Sequence, residues 1–241
     1  MRVICIIFAL FICTSKFPRC LEPSLITDKD GAGEINPRHE IDSEIKKLIA
    51  GVRTRKLDIK NSVDNIYALQ NALALELGFP IIIVIGQAGK SSPANEWEIQ
   101  KMAARQGSLE EILSGITYSG GGSLRMEYID DIPVLVSSNM NQDRHHALLK
   151  TNAPFDDAGR HSVEDIINFL ENDKTITDSY GDMSFITDLR IFKKKADVLA
   201  AKEDSLLSFM VKFGVAAKTQ WIFVVDEDEG VPSLLMESLS W

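Results

Sequence analysis

The segment 143–161 holds three of the chain's four histidines, His145, His146 and His161, among three carboxylates, Asp143, Asp156 and Asp157. Imidazoles and carboxylates ligate zinc-class ions and exchange protons near neutral pH, so metal-assisted or acid–base hydrolysis would be built here. The residues in place for that chemistry are Asp143, His145, His146, Asp157 and His161. Adjacent residues on a helix point about 100° apart, so His145 and His146 are expected not to grip one ion unaided. A solvated polar loop with a helix cap is the plainer reading of the segment. No Gly-x-Ser-x-Gly elbow, His-Glu-x-x-His helix or Cys/His framework accompanies it.

Two other stretches carry ligand-like spacing. Gly86-x-x-Gly89-Lys90-Ser91 follows an apolar run and resembles a shortened phosphate-binding loop, and Trp221–Val225 ends on Asp226-Glu227, as a partner metal-binding strand would. Main-chain N–H groups would cradle phosphate, Lys90 would neutralise it, and Ser91 with Asp226 would hold Mg²⁺. The full pattern needs four residues between its glycines where this chain has two, and Pro93 removes a donor, so a glycine turn joining strand to helix is the simpler expectation. Asp28-Lys29-Asp30-Gly31-Ala32-Gly33-Glu34-Ile35 resembles the first eight positions of an EF-hand loop. Asp28 and Asp30 fall on ligand positions, but position five is Ala32, position twelve is His39, and Pro37 is expected to disrupt the exiting helix. A flexible acidic turn with no bound metal is therefore expected, and no cofactor is implied.

The elements that must position these residues are marked by hydrophobic period. Ile41, Ile45, Leu48, Val52, Arg55, Ile59, Ser62, Ile66, Leu69 and Leu73 recur at spacings of four and three, which predicts a helix or helical pair over about 40–77. Gly78 and Pro80 end it. Ile49, Val63, Tyr67 and Leu75 widen the stripe beyond a coiled-coil seam, so packing on the same chain is expected, with a homodimer through 41–73 as the alternative. Ile81–Ile85 reads as a strand buried on both faces, as does Trp221–Val225. A helix is predicted over 93–105 and another at 108–115 led by Ser108. A hairpin is predicted over 116–138, a Ser162-capped helix over VEDIINFLE, and a long helix over 186–213, with Lys193–Lys195 on a solvated face. This order argues for an α/β or α+β fold, an N-terminal helical segment followed by a sheet covered by helices.

Arg2 and the apolar run Val3–Cys13 read as a secretory signal cleaved near Ser15, too short to span a bilayer. The expected organisation is a signal over 1–15, a tether over 16–39, a helical segment over 40–78 and an α/β domain over 79–241. Losing Arg2 leaves 25 Lys and Arg against 35 Asp and Glu, an acidic chain that repels nucleic acid and anionic lipid. Of the three cysteines only Cys20 would survive cleavage, so no internal disulfide is expected. A secreted or lumenal protein that binds a protein partner is the leading expectation, leaning away from catalysis, with a hydrolase built on 143–161 and a phosphate binder at 86–91 as alternatives.

Overall fold

The apolar run after Pro80 becomes the middle of an eight-stranded mixed sheet. The computed structural model describes residues 37–60, 62–87, 97–102, 104–119, 122–138, 140, 142–153, 155, 160–181, 183–198, 204–226 and 233–241. All lie within one unit, Ile35–Trp241. The expected signal, the tether up to residue 36 and the calcium-like residues Asp28 and Asp30 lie outside the described residues.

The first half of the chain gives α1 (Pro37–Gly51), a 3-10 turn (Val52–Thr54), β1 (Lys56–Asp58), α2 (Ile66–Leu77), β2 (Ile82–Gln87), β3 (Ile99–Lys101), β4 (Gln106–Ser108) and α3 (Leu109–Leu113). Then come β5 (Ile116–Tyr118), β6 (Ser123–Ile129), β7 (Ile132–Ser137), α4 (Gln142–Lys150), β8 (Arg160–Ser162), α5 (Val163–Asn172) and α6 (Lys174–Tyr180). The last elements are β9 (Met183–Thr187), α7 (Leu189–Phe192), β10 (Lys195–Asp197), α8 (Leu206–Ala217), β11 (Thr219–Asp226) and β12 (Ser233–Ser240).

The large sheet runs β3-β5-β6-β7-β2-β11-β12-β9. Its three central strands, β7, β2 and β11, are parallel. Ile82–Ile85, Val134–Val136 and Trp221–Val225 are buried along their whole length, Ile83 and Val224 included, which requires cover on both faces. α8 packs against β11, α3 against β6, and α4 against both α8 and β6. The β6–β7 hairpin turns on Asp130 and Asp131, both at positive φ (50° and 64°), the geometry that matches strand twist in a two-residue turn. Two small pairs, β1 with β4 and β10 with β8, stand beside the main sheet.

The mixed helix-and-sheet class is as the sequence predicts, with three local differences. The stripe over 41–73 is carried by two helices, and between them Leu57 and Ile59 are buried from extended backbone, where Leu57 pairs with Gly107. Lys56-Leu57-Asp58-Ile59-Lys60 alternates with period two, a strand signal inside the four-three stripe. Pro37 opens α1, where its missing N–H costs nothing, and does not break a helix. Leu75 faces solvent, 63% exposed, and does not widen the buried stripe.

Second, the described part of the 93–105 helix is extended, with Ile99 and Lys101 paired to β5. Third, the helix predicted over 186–213 is divided among β9, α7, β10 and the start of α8, whose cap Ser205 accepts a hydrogen bond from Ser208 N. Lys194 is therefore no solvated helix residue: its Nζ donates to Lys218 O and Ser240 Oγ, and burial pushes its pKa down. Ser108 and Ser162 each cap their helices in full capping boxes, and Gly78 closes α2 at φ +82°. Among the described residues no helix is long and apolar enough to cross a membrane.

Candidate metal centre

Strand β6 reads Ser-Leu-Arg-Met-Glu-Tyr-Ile, so Arg125 and Glu127, two residues apart, share one face of the sheet. Helix α4 lies against β6 and brings His145 and His146 to that pair. His145 is wholly buried, the His146 side chain is 25% exposed, and the Glu127 side chain 13%.

The geometry is a convergence on one oxygen. His145 Nε2 stands 2.8 Å from Glu127 Oε2, and His146 Nε2 stands 3.0 Å from the same atom. The two imidazoles are nearly perpendicular, 89° apart with centroids 4.7 Å from each other. The helical offset of about 100° is absorbed by side-chain reach, because one ring descends into the core while the other crosses the helix edge to meet it. The sequence predicts that the two histidines do not grip one ion unaided, and here they meet through a third residue, Glu127.

Arg125 holds the second carboxylate oxygen, its Nε donating to Glu127 Oε1 at 2.7 Å. The same guanidinium donates to Ser138 O at 2.8 Å and to Met140 O at 3.4 Å. Arg125 thus ties the carboxylate to the chain between β7 and α4, the segment that sets where the histidines start. From the far side Tyr180 Oη donates to Arg144 O at 2.8 Å and fixes α4 beside the histidines. Burial pushes the Glu127 carboxyl up, but hydrogen bonds from His145, Arg125 and His146, with the His145 charge, outweigh it and hold the group down at about 2. It is a permanent anion at any physiological pH.

Glu127, His145 and His146 offer one oxygen and two nitrogens, all within 4.8 Å of one another. Around a tetrahedral zinc-class ion, ligand atoms at about 2.0–2.2 Å from the metal lie roughly 3.3–3.5 Å apart. The present spacing of 2.8 and 3.0 Å needs only a small outward shift of the side chains to admit such an ion.

The other residues singled out in the sequence are placed elsewhere. Asp143 is exposed in the first turn of α4. His161, in β8, is buried among aromatic rings, with centroids 5.3 Å from Phe155 and 5.1 Å from Phe209, and its Nε2 has no hydrogen-bond partner among the described residues. Asp156, Asp157, Gly89, Lys90 and Ser91 lie outside the described residues. Gly86 pairs in parallel register with Val225, next to Gln87 with Asp226, so the sheet sets the ends of β2 and β11 side by side. Glu127 is the member of the candidate cluster that sequence reasoning missed. Its signal was present: an Arg-x-Glu pair of like facing inside an apolar hairpin strand.

Comparison with family models, with curated proteins and with solved structures finds no match for this chain.

Proposed function

We propose that this chain binds one zinc-class dication through Glu127 Oε2, His145 Nε2 and His146 Nε2, with a fourth coordination position open on the side of His146. The observation that carries the reading is the meeting of both imidazole Nε2 atoms on one carboxylate oxygen. That oxygen accepts two donors, and here both positions are taken by imidazole nitrogens of adjacent residues with their rings at right angles, a donor set of the kind that zinc uses. The carboxylate is already ionised, Arg125 donates to its other oxygen, and Tyr180 braces the helix that bears the histidines, so the three donors are oriented from behind.

Isothermal titration of the folded chain with Zn²⁺ near pH 7.5 tests this reading. One ion per chain is expected, and His146→Ala, at the partly exposed ligand, should weaken binding by more than about 100-fold while circular dichroism stays unchanged. Absence of binding at micromolar zinc, or binding untouched by that substitution, would show the cluster to be a hydrogen-bonded ion pair alone.

Hydrolysis is the second reading, favoured by the coordination position that three protein ligands among the described residues would leave open, and of the described 143–161 candidates it uses His145 and His146, with Glu127. The secretory address read from residues 1–15 and a protein partner are carried forward as proposals on sequence grounds. Burial of Ile45, Val52, Ile59, Ile66 and Leu73 within the chain supports a monomer over a homodimer through 41–73.

A further inference from the structure

The charges around Glu127 do not balance once an ion is added. Metal-bound imidazoles are neutral, so the ligand set contributes one negative charge, that of Glu127. Arg125 sits on the other oxygen of the same carboxylate at 2.7 Å and cancels that charge. Lys212, on the helix packed against α4, pairs at 2.8 Å with Asp204, which precedes that helix. Asp143 is exposed to water in the first turn of α4, where its field is screened. Counting the described residues alone, a dication at this site would keep both of its charges uncompensated in a setting where Glu127 is 13% and His145 0% exposed. An uncompensated charge at such depth is costly, and the open coordination position is where an anion can relieve it.

Arg125 also retains donors for that anion. Of its five N–H groups, three are directed to Glu127 Oε1, Ser138 O and Met140 O, which leaves one on each terminal nitrogen among the described residues. Its side chain is 37% exposed. A planar guanidinium one carboxylate away from a metal ion is suited to a ligand that shares its oxygens between the two. We infer that the metal-loaded centre selects a small oxyanion, the carboxylate or phosphate group of its ligand, over neutral ligands, with the ion taking one oxygen and Arg125 assisting. This inference rests on the metal-centre reading above.

The test uses the full chain loaded with Co²⁺, whose visible spectrum reports coordination directly. Inorganic phosphate, acetate and the neutral ligand imidazole are titrated separately. Phosphate or acetate should shift the cobalt bands saturably and at lower concentration than imidazole; which of the two binds more tightly distinguishes a phosphate from a carboxylate ligand. Arg125→Gln should weaken the oxyanion roughly 10- to 100-fold more than it weakens imidazole, the loss of a charge-assisted contact. Arg125→Lys, which keeps the charge, should recover part of that loss. If imidazole outcompetes both oxyanions on wild type, or Arg125→Gln affects all three ligands alike, the inference is overturned, and the wild-type comparison decides even if the variants do not fold. Failure to bind Co²⁺ at all, seen before any ligand is added, removes the metal reading itself.

Discussion

Replacing Glu127 by Gln should make the acid stability of the metal-free protein a direct readout of the site. In the folded chain this carboxyl titrates at about 2, against an ordinary value of 4.5. Each unit of depression corresponds to about 1.4 kcal/mol, so the ionised carboxylate contributes about 3 kcal/mol relative to the unfolded chain. The carboxylate lies beside the partly exposed His146, so solvent screening lowers this figure and about 3 kcal/mol is its upper limit. The sign follows from the direction of the shift. A carboxyl with a depressed folded pKa stabilises the protein fully above its unfolded value, and that stability drains away as the pH falls from about 4.5 towards about 2. Glutamine occupies the same volume but cannot ionise, so its stability lacks this component at every pH. Urea unfolding of both forms, with EDTA present to exclude metal, should show the wild-type advantage shrinking by up to about 3 kcal/mol between pH 5.5 and about 2. A difference that stays constant over that range would mean that the hydrogen bonds from His145, Arg125 and His146 do not hold the carboxylate, and the electrostatic account of the site would fail.

Two further substitutions test the frame around the site. Gln70 is buried on α2 and donates from Nε2 to Ile81 O at 2.7 Å and Trp221 O at 2.8 Å, joining the chain entering β2 to β11, so Gln70→Leu should cost about 1–3 kcal/mol in urea unfolding by stranding two carbonyls, and a neutral result would show those bonds to be dispensable. In Gly214→Ala the new Cβ would meet Pro80 Cγ at 2.5 Å and Thr219 O at 2.6 Å; overpacking of about 1–3 kcal/mol against main chain should exceed the gain of about 1 kcal/mol in helix propensity, and a more stable variant would refute that ranking.

The parts of the fold legible in the sequence are those whose signals are local. Ile81–Ile85 declares a covered strand by length and composition, the 116–138 hairpin by alternation and turn residues, and α3 and α5 by Ser108 and Ser162 with an acid three residues on. The parts that were not legible depend on partners far away in the chain. β3, β4 and β10 are three residues each, too short to display a period, and each becomes a strand because another strand offers it a ladder. Lys195–Asp197 is the clearest case. Its charged ends suit a helix surface as well as a strand, and only the register with Arg160–Ser162 decides it.

The candidate site was half legible for the same reason. Residue type drew attention to His145 and His146, whereas the ligand that unites them comes from a strand eighteen residues earlier. Nothing local to α4 can specify that Glu127 faces it; the two-residue Asp130–Asp131 turn does, by fixing the hairpin register that pairs Glu127 with Val134. A shift of one residue in that register would turn Arg125 and Glu127 to the opposite face and leave His145 buried without a carboxylate. The hairpin turn, the Arg125 tie to Ser138 and Met140, and the brace from Tyr180 to Arg144 therefore act on one variable, the approach of β6 to α4. The adjacency of the histidines then ceases to be an obstacle. With Glu127 fixed between them, one imidazole is presented from the core and the other from the solvent edge, and it is on that edge that a bound ion would meet its ligand.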